Sequence, residues 1–215
     1  MLRRLIKAII PSKGDIFYTL FEEAAINAHE SAKIFVDILK CKDEELLTQL
    51  FANSRVLKQK GSDINKKVLT SLNDMFITPI DRGDIQELSG ILNKLTKRIS
   101  KISTKLKIYN IDAHADDCLI KNANTLLVIT QALVDCIHGL KISDNNKIIS
   151  STEKIYELEE NGIEDFRFAI NEMYSGKFDT LMILKLKEIY KSIDGAIELS
   201  VNAAELLMQV SVKSI

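Results

Sequence analysis

Tryptophan is absent, and aromatic residues make up only 6% of the chain. That leaves little material for stacking nucleic-acid bases or for a carbohydrate platform. Chain breakers are also scarce, with 8 Gly and 2 Pro in 215 residues, where roughly 12% of a typical chain is one or the other. A loop-rich sandwich, a collagen-like repeat and a disordered linker are excluded on that ground. No charge sign dominates: 29 Lys+Arg stand against 30 Asp+Glu, a net charge of -1. A dedicated nucleic-acid binder usually shows a strong basic excess, so no nucleic-acid partner is expected. The three cysteines, Cys41, Cys118 and Cys136, are odd in number and form no Cys-x-x-Cys pair. They read as reduced thiols of a cytoplasmic protein and not as a disulfide framework. The longest uncharged run, Asn122 to Val134, falls short of the ~20 apolar residues of a spanning helix. The start, MLRRLIKAIIPSKGD, is interrupted by Lys7 and followed by Pro11, which does not fit a signal peptide. Neither GxxxxGKS/T nor GxGxxG occurs, so the chain has no visible apparatus for nucleotide hydrolysis.

What is present is apolar residues at helical spacing almost throughout. Phe17, Leu20, Phe21, Ala24, Ala28, Ala32, Phe35, Ile38 and Leu39 form one stripe, with Asp15 placed to cap its start. A second helix starts at Asp43 and carries Leu46, Leu47, Leu50, Val56, Leu57, Ile64, Val68, Leu72 and Met75; Thr78-Pro79 ends it. Asp81 caps a third, with Asp84 in a capping-box-like position. The remainder predicts helices from about 116 to His138, stopped by Gly139, from about 145 to 174, stopped near Ser175-Gly176, and from about 178 onward. The expected fold class is all-α: six long helices in one domain over 1–215, packed side by side as a bundle.

A 101-residue shift overlays the chain on itself without a gap. Leu57 meets Leu158, Gly61 meets Gly162, Leu88 meets Ile189 and Leu92 meets Ile193; Ala28 meets Ile129 and Leu39 meets Leu140. The agreement in hydrophobic class predicts two three-helix repeats, about 15–110 and 116–212.

Isolated chemical groups carry little. Asp135 and His138 have the spacing of a metal helix, but no second copy exists, and His138 before Gly139 fits a helix C-terminus. His29 and His114 lack companions, and the run DAHADD fits a cap for the fourth helix. Asp81 and Arg82 in PIDRGD fit a structural turn, with a partner-contacting or phosphate-binding arginine as the other reading. The stripe Leu2, Leu5, Ile6, Ile9, Ile10 beside Arg3, Arg4, Lys7 and Lys13 suits a membrane surface, a transporter, or packing across the bundle ends.

The string MFITPIDRGDI, preceded by LKQKGSDI and followed by LSGILNKLTKRI, resembles the PhoU-like phosphate-transport regulators, in particular their Pit-accessory branch. The resemblance covers nearly the whole chain. It implies six helices in two three-helix bundles and a non-enzymatic role in inorganic phosphate uptake through contact with a membrane phosphate permease. Arg3, Arg4, Lys7 and Arg82 are then candidate contacts for that partner, with the protein peripheral to the membrane at most and able to form homo-oligomers. A metal-binding bundle of another class and a general helical scaffold are the alternative readings.

The resemblance also implies acidic metal motifs on the second and third helix of each repeat. Carboxylates four residues apart share a helix face, and two such faces can hold a hard cation. In the first repeat the matching positions are Lys58, Ser62, Asn93 and Lys97, which retain no carboxylate. Ammonium groups have no lone pair and repel cations, so no metal is expected there. In the second repeat they are Glu159, Ile163, Asp194 and Glu198. Three carboxylates imply at most one weakly held divalent cation, and no cofactor is required.

Overall fold

The structure, a computed structural model, describes residues 15–111 and 117–213. They form α1 (Asp15–Lys40), α2 (Glu44–Asp74), α3 (Arg82–Tyr109), α4 (Asp117–Ile142), α5 (Asn145–Glu172) and α6 (Thr180–Lys213). No strand occurs among the described residues. The side chain of Asp15 and the first five residues of the DAHADD run, 112–116, lie outside them.

Aspartates start four of the helices. Asp43 accepts the Leu46 N–H at 2.7 Å, Asp81 those of Gly83 and Asp84 at 2.7 and 3.3 Å, Asp144 that of Lys147 at 3.1 Å and Asp179 that of Met182 at 2.7 Å. Each puts an anion on unsatisfied donors at the positive end of a helix dipole. Asp84 does not close a capping box. It is buried, and its two oxygens accept Lys213 Nζ at 2.9 and 3.2 Å.

Helix α4 corrects the expectation at Gly139. The helix continues to Ile142 and ends at Ser143, whose φ is 57°. Asp144 N–H then donates to Gly139 O at 2.9 Å and Ser143 N–H to Leu140 O at 3.2 Å, a Schellman end. Gly139 is needed for close approach: a Cβ there would lie 3.0 Å from Ile148 Cγ1 and 3.2 Å from Asp144 O. Helix α3 ends in the same way at Asn110, φ 49°. A left-handed serine costs more than a left-handed asparagine or glycine. Ser143→Gly is therefore expected to raise stability in urea melts by about 0.5–1 kcal/mol, and Asn110→Gly to raise it less. The break between α5 and α6 falls where the sequence places it, in a wide turn over Met173–Lys177 with Gly176 at φ 91°.

Within the first half α1, α2 and α3 all touch one another, as do α4, α5 and α6 in the second. The halves join through two seams, α1 on α4 and α3 on α6, leaving α2 and α5 at the outer edges. Both seams run antiparallel: early residues of α1 and α3 pair with late residues of α4 and α6, as in Glu22 with His138 and Asp84 with Lys213. His29 Nδ1 meets Thr130 Oγ1 at 3.2 Å, a pair 101 residues apart. In this pair, two positions matched by the sequence shift are in contact.

The stripe expected on α2 is only partly buried. Val56 is 64% exposed and Leu46 is exposed too, while the buried face is Ser54, Gly61, Ile64, Val68 and Leu72. Polar pairs hold this helix instead: Ser54 Oγ donates to Ser100 Oγ at 3.1 Å, Ser89 Oγ to Asn65 Oδ1 at 2.8 Å and Asn27 Nδ2 to Leu57 O at 2.9 Å. An edge helix has room for these groups because it covers only one side of the core. Helix α4 is long and apolar enough by composition to cross a membrane. Its apolar side, including Leu119, Leu126, Ile129, Leu133 and Ile137, is packed into the core.

Candidate functional site

The motif positions of both repeats lie on one broad face, made by α2, α3, α6 and α5 in that order across the molecule. On the second half Glu159 projects from α5, and Asp194 and Glu198 from consecutive turns of α6. They are electrostatic neighbours. The Glu159 carboxyl is held above the usual carboxylate range by burial first, then by the charges of Glu205, Asp194, Glu160 and Glu198. Asp194 is raised by partial desolvation and by Glu198, with Arg98 acting against both.

Arg98 reaches this place from α3. Its guanidinium meets Gly195 with the Nη1 end, so close that a Cβ there would sit 2.0 Å from Nη1. A built-in cation therefore stands beside Asp194, and Ile163, 39% exposed, occupies the fourth motif position. Among the described residues no group of three or more His, Cys, Asp or Glu is placed to hold a metal ion. The three carboxylates share a face without converging on a point, so the donor set does not fit a divalent cation as it stands.

On the first half Lys58 and Lys97 are exposed, and Ser62 Oγ donates to Lys58 O at 3.3 Å. The Asn93 Oδ1 atom is buried without a hydrogen-bond partner. None of these groups carries negative charge.

Arg82 is committed within the fold. Its Nη1 donates to Met75 O at 2.8 Å and its Nη2 to Leu72 O at 2.7 Å. The guanidinium closes the α2 C-terminus, where carbonyls are unsatisfied and a cation is favoured. Beside it lies a 570 Å³ cavity whose charged lining is Asp81, Arg82, Asp84 and Lys213. Phe76 and Ile77 project from the same turn, 98% and 83% exposed. Arg3, Arg4 and Lys7 lie outside the described residues.

The bundle superposes on two crystal structures from Shewanella oneidensis MR-1. One is of a PhoU-like protein: TM-score 0.82, 11% identity, 91% of this chain and 99% of that one. The other is of a protein described as a candidate PhoU-like phosphate regulatory protein: TM-score 0.78, 11% identity, 92% and 99%. The chain has a PhoU-like fold. In sequence it is similar to the UPF0111 protein YkaA of Bacillus subtilis (strain 168), 25% identical over 186 residues, which span 86% of this chain and 90% of that protein. No protein-family model matches the chain.

Several charged groups of this PhoU-like bundle escaped the sequence reading because their partners are distant in the chain. Glu22 on α1 pairs with His138, Nδ1 to Oε1 at 2.8 Å, and with Lys141. Both pull the Glu22 carboxyl below its ordinary range, Lys141 more strongly. His138 thus belongs to the seam between halves and is not a C-terminal cap. At the other seam Lys105 Nζ lies 3.1 Å from Glu188 Oε2, which also accepts the Tyr109 hydroxyl. The Glu22 pair joins residues 116 apart. No local pattern marks such a pair, since each member reads as an ordinary surface charge.

Proposed function

We propose that the protein is a non-enzymatic regulator of inorganic phosphate uptake, acting by docking on the cytoplasmic side of a membrane phosphate permease. The observation that carries this reading is the PhoU-like fold over nine-tenths of the chain. One of the two Shewanella structures sharing it is described as a candidate phosphate regulatory protein. Docking needs a surface, and the tip of the α2–α3 turn offers one. Phe76 and Ile77 stand out from a turn that Pro79, the Asp81 cap and the Arg82 bonds hold rigid. Exposed large apolar groups on a fixed turn are costly in water and profitable against a partner. The partner's transport changes only if the tip binds one of its states better than the other. No step of this mechanism runs through a bound metal.

The test is uptake of labelled phosphate by cells lacking the protein, at high and low external phosphate, with the wild-type chain or Phe76→Ser/Ile77→Ser restored. Uptake is expected to change on deletion and to return only with the wild-type chain. Equal uptake in all strains at both concentrations overturns the regulatory role. Full rescue by the double variant leaves that role standing and moves the contact elsewhere.

A further inference from the structure

We propose that the groove between α2 and α3, at Lys58, Ser62, Asn93 and Lys97, is a binding site for a multiply charged phosphate oxyanion, a short condensed phosphate chain fitting it best. The register of the two helices builds the site. Ser54 Oγ donates to Ser100 Oγ at 3.1 Å, and Ser89 Oγ to Asn65 Oδ1 at 2.8 Å. Between those two rungs the antiparallel register sets Lys58 level with Lys97 and, one turn away, Ser62 level with Asn93. Residues four apart share a helix face, so the four side chains border one stretch of groove. The floor is polar too. Asn93 Oδ1 and Thr96 Oγ1 are buried without a hydrogen-bond partner among the described residues. The Thr96 side chain packs on Gly61, where a Cβ would lie 3.2 Å from Cγ2. With the 101-residue shift, the second half has Glu159, Ile163, Asp194, Ile197 and Glu198 at these positions, so the cationic, polar groove belongs to the first half alone.

The charge at the groove has no counterpart within the fold. From Leu88 to Tyr109, α3 holds 6 Lys or Arg and no Asp or Glu. Arg98, Lys101 and Lys105 are answered from α6, by Asp194 and Glu188. Lys58, Lys94 and Lys97 are exposed, and among the described residues none of them joins an ion pair. Lys94 and Lys97 stand three apart on one helix face, where like charges destabilise. Asp63, next to Ser62 in the chain, turns to the α1 side: it accepts Gln59 Nε2 at 3.0 Å and borders a cavity with Ile16 and Leu20. Glu87, further up the groove, is about 10 Å along α3 from Lys94. Ammonium groups at the rim exclude a metal cation and attract an anion. A hydroxyl, and an amide turned about its terminal bond, add neutral donors. Lysine acts as a point charge suited to phosphate, whereas a carboxylate is matched best by the planar fork of arginine. Neither α2 beyond Phe51 nor α3 before Tyr109 has an aromatic residue, so a nucleotide base has no ring to stack on. Lys94, one turn beyond Lys97, offers a second phosphate group its own partner. The site is about 24 Å along α2 from the Phe76–Ile77 turn and does not depend on docking there.

The experiment is titration calorimetry of the full chain with tripolyphosphate in metal-free buffer at about 100 mM NaCl, where distant charges are screened. Saturable binding of one chain of phosphates per protein is expected. Lys58→Gln/Lys97→Gln is expected to weaken it at least about tenfold, since each lysine supplies a charge-assisted hydrogen bond. Lys66→Gln/Lys67→Gln, which removes the same charge from the α1 side of α2, is expected to leave it unchanged. Citrate, a multiply charged carboxylate, is expected to bind at least about tenfold more weakly than tripolyphosphate. Circular dichroism checks that each variant keeps its helix content, and the comparison with citrate needs no variant. Absence of tripolyphosphate binding overturns the proposal. Equal weakening by the two double variants overturns it in favour of diffuse charge attraction, and equal affinity for citrate overturns the phosphate assignment. Binding is read on the purified protein, so its failure and a failure of the uptake role are told apart.

Discussion

Truncating Ile129 to alanine is expected to lower stability by about 2–5 kcal/mol and to do so for both halves at once. Ile129 is fully buried on α4, next to the His29–Thr130 contact where α4 crosses α1. The loss combines the transfer energy of the removed carbons with the cavity left in a packed seam. Because the halves share two seams, α1 on α4 and α3 on α6, neither can expose its inner face without exposing the other's. The expected melt is one transition, lowered by roughly 5–15 °C for a chain of this size. Calorimetry decides the matter. Two separated transitions, with only the later residues destabilised in hydrogen exchange, would show that the halves fold independently. Glu22→Gln in the same seam is a milder probe. The Glu22 carboxyl is depressed in the fold, so its contribution is present above the unfolded pKa and fades as pH falls through the folded one.

Cys136 is expected to resist thiol reagents in the native protein at least about 100-fold better than in the unfolded chain. It is fully buried, with Sγ 3.6 Å from Thr152 Oγ1, and burial pushes the thiol from an ordinary 9.0 up to about 11. Near pH 8 two such units cut the thiolate fraction about 100-fold before access is considered. Cys41 and Cys118 are partly exposed and serve as internal references. The sign for stability follows from the same shift. Between pH 9 and 11 the unfolded chain loses this proton and the folded one keeps it. Stability should therefore fall with rising pH, with a slope approaching about 1.4 kcal/mol per unit at mid-window and a loss of about 2 kcal/mol between pH 9 and 11. Urea melts of the wild type and Cys136→Ala over that range check this. The variant should lack the additional slope, and parallel curves would show that the buried thiol does not govern it.

Much of this architecture was legible in the one-dimensional pattern, and for a physical reason. Helix periodicity, the caps at Asp43 and Asp81 and the break at Ser175-Gly176 depend on interactions three to five residues apart, which composition and order determine by themselves. The loss of carboxylates at Lys58 and Lys97 is also a statement about residue identity. The sequence alone therefore determined the six helices and the all-α class. Only the tertiary structure decided what each residue faces. Gly139 looks like a stop and is a packing site, because Ile148 passes within 3.0 Å of where its Cβ would be. His138 looks like a cap and belongs to Glu22, because α1 and α4 run antiparallel. Arg82 fits a turn in the sequence, and only the structure shows that it holds the carbonyls of Leu72 and Met75. Gly195 lets Arg98 cross between the halves, a contact that no motif encodes. Such pairings rest on the register of one helix against another, which depends on every side chain in the seam together, so no short stretch of the chain contains them.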